Sequence, residues 1–227
     1  MLRFVKILAL ETSTELCSAA LWLDGTVDAR EVVAGQRNSE LLLPMVDALL
    51  AANCIAARDL DGVAFGAGPG AFTGVRIACG VAQGIAFGID IPVAAVGTLL
   101  ALAEASGAQR VVCCLDARMG EVYQAAYEKH GDDWQEVQAP GLYNPAAVPL
   151  LPDGRWQGCG SGFAAFGAEL AARYGGSIER VIENIAPHAR EIALLGAGHF
   201  ARGDEIDAAD ALPLYVRNKV ALRVDER

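Results

Sequence analysis

The sequence lacks the histidine and cysteine patterns that bind metals or carry out redox chemistry. Its three histidines, His130, His188 and His199, include no pair spaced by four residues, and there is no His-Glu-x-x-His motif. None of the six cysteines forms a C-x-x-C pair, and most lie in apolar runs, where a free thiol behaves as a small hydrophobic group. We therefore expect no intrinsic metal site and no catalytic residue of these kinds.

Positive charge and aromatic residues are also scarce. The chain has 18 Lys and Arg against 28 Asp and Glu, a net charge of -10, and only 7% aromatic residues. Phosphate binding relies on Lys and Arg, so this chain is a poor candidate for holding a nucleic acid alone. If nucleic acid is involved, a partner is expected to supply the positive surface. The acidity also serves solubility.

The beginning of the sequence carries no signal for membrane insertion. The stretch MLRFVKILALETST becomes polar too soon for a signal peptide or a membrane span. We expect no membrane association and a reducing cytoplasm. Apolar residues make up 53% of the chain, which predicts a packed core rather than disorder.

The hydrophobic pattern predicts an α/β fold of two similar halves, residues 1–100 and 101–227. Each half is expected to combine a mixed sheet with packing helices, and the C-terminal tail is free to pack back on the first half. Alternating and apolar runs predict strands at 4–10, 17–23, 26–34, 62–66, 91–96, 110–117, 121–127 and 156–160. Helical periodicity predicts helices at 39–52, 75–87, 98–106, 164–173 and 189–202. Turn residues predict surface loops over 131–155 and a hairpin turn at Asp24-Gly25.

Two predicted helices have surfaces that need covering. In the helix 39–52, which Asn38 or Ser39 can cap, apolar residues occupy more than one face. In the helix 75–87, Gly80, Gly84 and Gly88 are spaced by four residues and predict a smooth groove. This groove fits either packing on the chain's own sheet or a helix of another chain.

The loop GAGPGAFTG, residues 66–74, leads from a strand into a helix. Its glycines suit either a tight turn or an anion site at the helix N-terminus, although no Walker or dinucleotide motif is present. Glu11, Thr12 and Ser13 follow the first strand and suit either phosphate contacts or hydrogen bonding within a turn. Asp116, near Arg118, suits either a catalytic acid or a structural ion pair.

Together these segments resemble the bacterial TsaB (YeaZ) family. The resemblance covers almost the whole chain, in the same order, and is carried by the motifs ILALETSTELCSAAL, SELLLPMVDALL, GAGPGAFTGVRIACGVAQGIA, CLDARMGEVY and PLYVRNKVA. It implies an actin- and hexokinase-like (ASKHA) fold of two similar subdomains. It also implies membership of the complex that forms N6-threonylcarbamoyladenosine in tRNA next to the anticodon.

The same resemblance implies a non-catalytic subunit. In that family the paralogue TsaD is catalytic and the ATPase TsaE assists, so ATP and metal are expected on partner subunits and tRNA mainly through the partner. A homodimer is implied for the chain alone, and a direct heterodimer with TsaD. The implied interface comprises Leu41, Leu42, Met45, Val46 and Leu49 on one helix, and Arg76, Cys79, Ala82, Gln83 and Ala86 on the other.

Three departures from related patterns bear on catalysis. The helix 39–52 lacks the metal-binding histidine pair that TsaD carries on the matching helix. Glu11 and Ser13 stand where nucleotide-binding relatives place Asp and Gly, and Asn38 stands where many family members have His. The residues of the vestigial phosphate loops would be Glu11, Thr12, Ser13, Gly68, Gly70 and Asp116. The alternative is an ATP-binding or ATP-hydrolysing enzyme of the actin-like class that uses this same set.

Overall fold

Two five-stranded mixed sheets form the framework of the chain. The structure, a computed structural model, describes residues 5–216, so the last residues of the PLYVRNKVA motif lie outside the described residues. The first sheet contains β1 (Lys6–Glu11), β2 (Leu16–Leu23), β3 (Thr26–Val33), β4 (Gly62–Gly68) and β5 (Val93–Gly97). Its strand order is β3-β2-β1-β4-β5, antiparallel within the β1–β3 meander and parallel across β1, β4 and β5.

The second sheet repeats the same topology. It contains β6 (Arg110–Asp116), β7 (Val122–His130), β8 (Asp133–Tyr143), β9 (Trp156–Cys159) and β10 (Ile178–Ile182), in the order β10-β9-β6-β7-β8. Here too the first three strands are antiparallel and the later two are parallel to the first. The predicted α/β fold of two similar halves with mixed sheets is thereby confirmed, and the boundary at residue 100 stays a prediction.

Five helices cover the sheets. They are α1 (Asn38–Ala52), α2 (Phe72–Ile89), α3 (Thr98–Ser106), α4 (Ser161–Tyr174) and α5 (Ala189–Arg202). Alternate residues of β1 face opposite cores: Leu8 and Leu10 pack with α1 and α2, whereas Ile7 and Ala9 pack with α5. A strand covered on both faces reads as a continuous apolar run, as this one does.

The C-terminal part of the chain returns to the first half. Helix α5 packs on β1, β2 and β4. Residues 206–216, here called the C-terminal strap, then run beside β5 and α2. Ile206 pairs with Val93 through two backbone hydrogen bonds of 2.9 and 2.8 Å, and the Leu214 N–H donates to the Ala67 carbonyl at 2.7 Å. The first half is therefore completed by residues distant in sequence.

Two strands differ from the prediction. Residues 133–143 form β8, not a surface loop, and β10 was not predicted at all. Pro140 lies where residues 139 and 140 face only Ala125 of β7, a bulge at a sheet edge, and such positions tolerate proline. The turn-rich composition of this stretch therefore reflects an irregular edge strand.

Helix α2 has an apolar side and an open side. By length and mean hydropathy, 1.4, it is the one helix of residues 5–216 that could also cross a membrane. In this fold its buried residues, among them Ala78, Ala82 and Ala86, pack in the core on the first sheet. Its apolar composition therefore has a structural role within the fold.

Substitution by alanine should change the stability of the fold in opposite directions at two helix glycines. A Cβ on Gly196 of α5 would lie 2.5 Å from the Ala64 Cβ, so Gly196→Ala should destabilise the fold by about 1–3 kcal/mol. A Cβ on Gly84 of α2 meets nothing within 4 Å, so Gly84→Ala should stabilise by about 0.5–1 kcal/mol. Urea unfolding of both variants measures these changes. Equal effects would contradict the packing of α5 described here.

Candidate functional site

A cleft of about 1710 Å³ separates the two halves. One wall comes from the turn after β1 and the starts of α2 and α5, and the other from the end of β6 and the start of α4. Charged residues of both signs line it: Glu15, Glu31, Asp116 and Glu191, with Arg118 and Arg190. The cleft thus offers no single-sign surface for a polyanion.

The turn after β1 is bonded to the loop that precedes α2. Thr12 Oγ1 donates to the Gly74 carbonyl at 2.7 Å, and the Ala71 N–H donates to the Ser13 carbonyl at 2.7 Å. Glu11 and Thr12 are fully buried, and Ser13 is nearly so. The hydrogen-bonding interpretation of this turn therefore accounts for the Thr12 hydroxyl and the Ser13 carbonyl. Phosphate contacts by this turn remain a prediction.

The glycines of residues 66–74 make this close packing possible. A Cβ on Gly70 would lie 2.6 Å from the Ser13 Cβ, and one on Gly74 would collide with the Thr12 carbonyl oxygen. A Cβ on Gly66 would collide with the Glu11 carboxylate. Gly68 has a φ of 103°, which favours glycine, and its N–H donates to Thr98 Oγ1 at 3.1 Å. The tight-turn interpretation explains these four glycines without a ligand.

The Glu11 carboxylate lies beneath this loop rather than in the cleft. One of its oxygens accepts a hydrogen bond from the Ser13 N–H. Burial raises the pKa of Glu11, while hydrogen bonds from Ser13 act in the opposite direction. A buried carboxylate with a raised pKa costs stability at neutral pH.

Asn38 has a different role from the helix cap that we predicted. Arg37 occupies the N-cap position of α1, and no side chain caps the helix. The buried Asn38 amide instead donates to the carbonyls of Thr12 and Thr14, at 3.5 and 3.4 Å. The cap prediction was wrong because this side chain points back towards the turn after β1, a partner that lies 24 residues away in sequence.

Asp116 forms an ion pair with its own neighbour. Arg118 donates to Asp116 from its backbone N–H at 2.8 Å and from its guanidinium at 3.3 Å. The same guanidinium lies 3.3 Å from Glu15 Oε1, so it bridges the two halves across the cleft. The structural interpretation of Asp116 thus fits the geometry. These groups are exposed enough that the pairs contribute little stability.

His188, which belongs to no sequence motif, links the cleft wall to the first sheet. Its Nδ1 accepts the Arg190 N–H at 2.9 Å and caps α5, while Nε2 lies 2.7 Å from Glu31 Oε2. Burial lowers the pKa of His188, opposed by Glu31. Within residues 5–216, no group of three His, Cys, Asp or Glu side chains is arranged to hold a metal ion.

The residues expected at the partner interface divide into two groups. Arg76 is exposed, and Leu41, Met45 and Gln83 are half-buried. The other six are buried in the chain's own core: Leu42, Val46, Leu49, Cys79, Ala82 and Ala86. The Cys79 thiol and the Gln83 amide also donate to the Ala211 carbonyl of the strap, at 3.4 and 3.1 Å. A partner can therefore reach only the first group in this conformation.

Gly80, Gly84 and Gly88 of α2 lie on its exposed side. A Cβ on Gly80, Gly84 or Gly88 would meet nothing within 4 Å, and the side chain of Phe87 beside them is 60% exposed. We call Gly80, Gly84, Phe87 and Gly88 the glycine face. It does not pack on the chain's own sheet, contrary to one of the two interpretations of the glycine spacing.

Comparison with known proteins places the chain among tRNA-modification proteins. The family model described as "TsaD: tRNA N6-adenosine threonylcarbamoyltransferase" matches residues 32–158. The Escherichia coli K12 tRNA threonylcarbamoyladenosine biosynthesis protein TsaB is 37% identical, over 96% of both chains. The Haemophilus influenzae protein of the same name is 35% identical, over 94% of both.

The chain belongs to the TsaB family. YeaZ from Pseudomonas aeruginosa has a TM-score of 0.86 and 38% identity over 93% of this chain and 99% of that one. A second P. aeruginosa structure, described as similar to the peptidase YeaZ, has a TM-score of 0.87 and 37% identity over 94% of this chain and 100% of that one. These matches confirm the expected actin-like fold. They also confirm the link to the biosynthesis of threonylcarbamoyladenosine in tRNA.

The buried glutamate of this TsaB-family chain predicts an unusual effect of pH. Because the folded pKa of Glu11 is raised above 4.5, its stabilising contribution is complete below that value and is lost as pH rises through the folded pKa. Glu11→Gln keeps an acceptor for the Ser13 N–H and removes the buried charge. The variant should be more stable than wild type at pH 7, and the difference should shrink as pH approaches 4.5.

Thermal unfolding at several pH values measures this difference. The matched control is Glu183→Gln, since Glu183 is exposed. A variant less stable than wild type at pH 7 would show that the ionised carboxylate is needed by the turn.

Proposed function

We propose that the chain is a non-catalytic subunit that binds TsaD through the exposed sides of α1 and α2. It forms a homodimer alone and exchanges into a heterodimer with TsaD, which TsaE joins in a ternary complex. ATP, metal and most of the tRNA contact belong to these partners, in the cytoplasm. The chain thereby supports formation of N6-threonylcarbamoyladenosine in tRNA.

The observation that carries the proposal is the open glycine face of α2. A glycine inside a helix costs roughly 1 kcal/mol relative to alanine. Gly80, Gly84 and Gly88 incur this cost although, beyond the neighbouring backbone of their own helix, no atom of residues 5–216 lies within 4 Å of their Cβ positions. A backbone that approaches α2 closely from another chain would explain why side chains are absent there.

Apolar side chains where α1 meets α2, here called the seam, support the same surface as the binding site for TsaD. Leu41 and Met45 of α1, and Ile77, Val81 and Ile85 of α2, are half-buried and pack at the margin of the first core. Leu43 of α1 is 48% exposed. This seam and the glycine face together give an apolar surface beside a smooth groove, and a partner helix could cover both.

Hydrogen bonds, burial and an ion pair in and near the cleft support the proposal that the chain is non-catalytic. Thr12 and Ser13 are bonded to the loop before α2, Glu11 is buried beneath that loop, and Asp116 is paired with Arg118. The Thr12 hydroxyl and the Asp116 carboxylate, which an ATP-binding relative would use for phosphate or metal contacts, are thus engaged within the chain, and the Glu11 carboxylate is buried. Titration calorimetry with ATP and Mg²⁺ tests this part, and tight binding by the isolated chain would favour an ATP-using enzyme instead.

A substitution on the glycine face tests the interface. Gly84→Arg places a long charged side chain where nothing lies within 4 Å, so the monomer should fold normally while the TsaD heterodimer weakens at least about tenfold. Met45→Asp on the seam should weaken it as well. Calorimetry with purified TsaD measures the affinity, and tRNA modification in cells lacking the wild-type gene measures function.

The matched control is Gly167→Arg. Gly167 is an exposed glycine of α4 in the second half, and its Cβ position is also open. It should leave both readouts unchanged. Equal affinity of the Gly84 and Gly167 variants for TsaD would move the interface away from α2. Ala82→Arg is unsuitable as a test, because Ala82 is buried in the core.

A further inference from the structure

Arg76 is fixed between two aromatic rings at the edge of the glycine face. Its guanidinium carbon lies 3.2 Å from the centroid of the Phe72 ring and 4.8 Å from that of Tyr215. Its Nη1 donates to the Phe72 carbonyl at 3.1 Å. Phe72 belongs to the first turn of α2, whereas Tyr215 belongs to the C-terminal strap. An exposed arginine held in this way loses less side-chain entropy on binding than a free one.

The charge of Arg76 is not matched by a carboxylate of the part of the chain that the structure describes. Among residues 5–216, no carboxylate lies within 4.0 Å of its guanidinium, although Arg30, Arg37 and Arg118 each have such a partner. One of its five N–H donors is used, and the planar group keeps donors suited to a carboxylate. In a chain of net charge -10, an ordered and unpaired arginine is a specific positive feature.

The surroundings of Arg76 extend the surface proposed for TsaD. On α2 the residue lies one turn before Gly80, and both are exposed. The strap adds Leu212, Leu214 and Tyr215, which are 71%, 44% and 50% exposed, beside Phe72 at 45%. The glycine face is thereby continued by an apolar patch with one cation in it. Charged groups in such settings give direction and specificity to an interface.

We propose that the C-terminal strap is part of the TsaD-binding surface, and that Arg76, held by Phe72 and Tyr215, binds a carboxylate side chain of TsaD. This inference rests on the proposed function. Arg76 contacts the partner directly, and Tyr215 positions it. A nucleic-acid base is the less suitable occupant, because the guanidinium already covers one face of Phe72 and the chain is acidic.

The experiment compares the affinities of Arg76 variants for purified TsaD at low and high salt. Arg76→Glu should weaken binding on the order of tenfold or more, and Arg76→Gln should both weaken binding and reduce its salt dependence. Arg76→Lys should recover only part of the affinity, since it keeps the charge without the planar group. Tyr215→Leu should weaken binding less than Arg76→Glu, whereas Tyr215→Phe should bind like wild type.

The control with the same change of charge is Arg180→Glu, on the exposed edge strand of the second sheet. It should bind TsaD like wild type. Exposed acidic residues of TsaD, each changed to Arg, should include one that restores the affinity of Arg76→Glu. Such a rescue would identify the partner carboxylate, and a merely structural role of Arg76 would not produce it.

The outcomes separate this inference from the function on which it rests. If the wild-type chain does not bind TsaD, the proposed function fails. If wild type binds and Arg76→Glu binds equally well, only this inference is overturned. It is also overturned if Arg76→Glu changes self-association alone, or tRNA retention alone, because the occupant would then be a second copy or an RNA.

Discussion

The contact between the turn after β1 and the glycine-rich loop before α2 determines where α2 lies and which polar groups of the turn are free. Backbone and hydroxyl groups of Thr12 and Ser13 bond directly to this loop and to the start of α2, through Ala71 and Gly74. Glycine is needed at these positions because Cβ atoms at Gly70 and Gly74 would meet the turn. The contact fixes where α2 begins, and it engages the Thr12 hydroxyl, which would otherwise be free for a phosphate. This one contact therefore supports both parts of the proposed role, the lack of catalysis and the binding of TsaD.

The position of α2 then decides which of its residues a partner can reach. One side of the helix supplies Ala78, Ala82 and Ala86 to the first core, and the opposite side carries the glycine face. The strap packs beside the helix, bonded through Cys79 and Gln83, and brings Tyr215 to Arg76. Residues distant in sequence thus complete one surface. Its apolar, smooth and charged parts fit a protein partner better than a small substrate.

Local patterns in the sequence were enough to predict most of the fold. The Asp24-Gly25 turn, the apolar runs and the helical periodicity produced the repeated arrangement of strands and helices. The sequence could not show which face of α2 is buried, because both sides are rich in small residues. It gave no signal for the Asn38 contact with the turn, the bridge from Arg118 to Glu15, or the particular residues that the strap contacts. Each of these depends on contacts between residues far apart in the chain. Strand β8 was missed for another reason: it pairs with the preceding strand β7, but its turn-forming residues are typical of a loop.

Hydroxyl-radical footprinting of the chain alone and with TsaD tests the central claim, that this protein acts through the α1 and α2 surface. Its oxidisable side chains include Met45 and Phe87 on that surface, Phe72 and Tyr215 where the surface meets the cleft, and Met119 inside the cleft. The account predicts that TsaD lowers the oxidation of the first four and leaves Met119 unchanged. Protection of Met119 with continued oxidation of Phe87 would contradict it, because the partner would then occupy the cleft and leave the glycine face open.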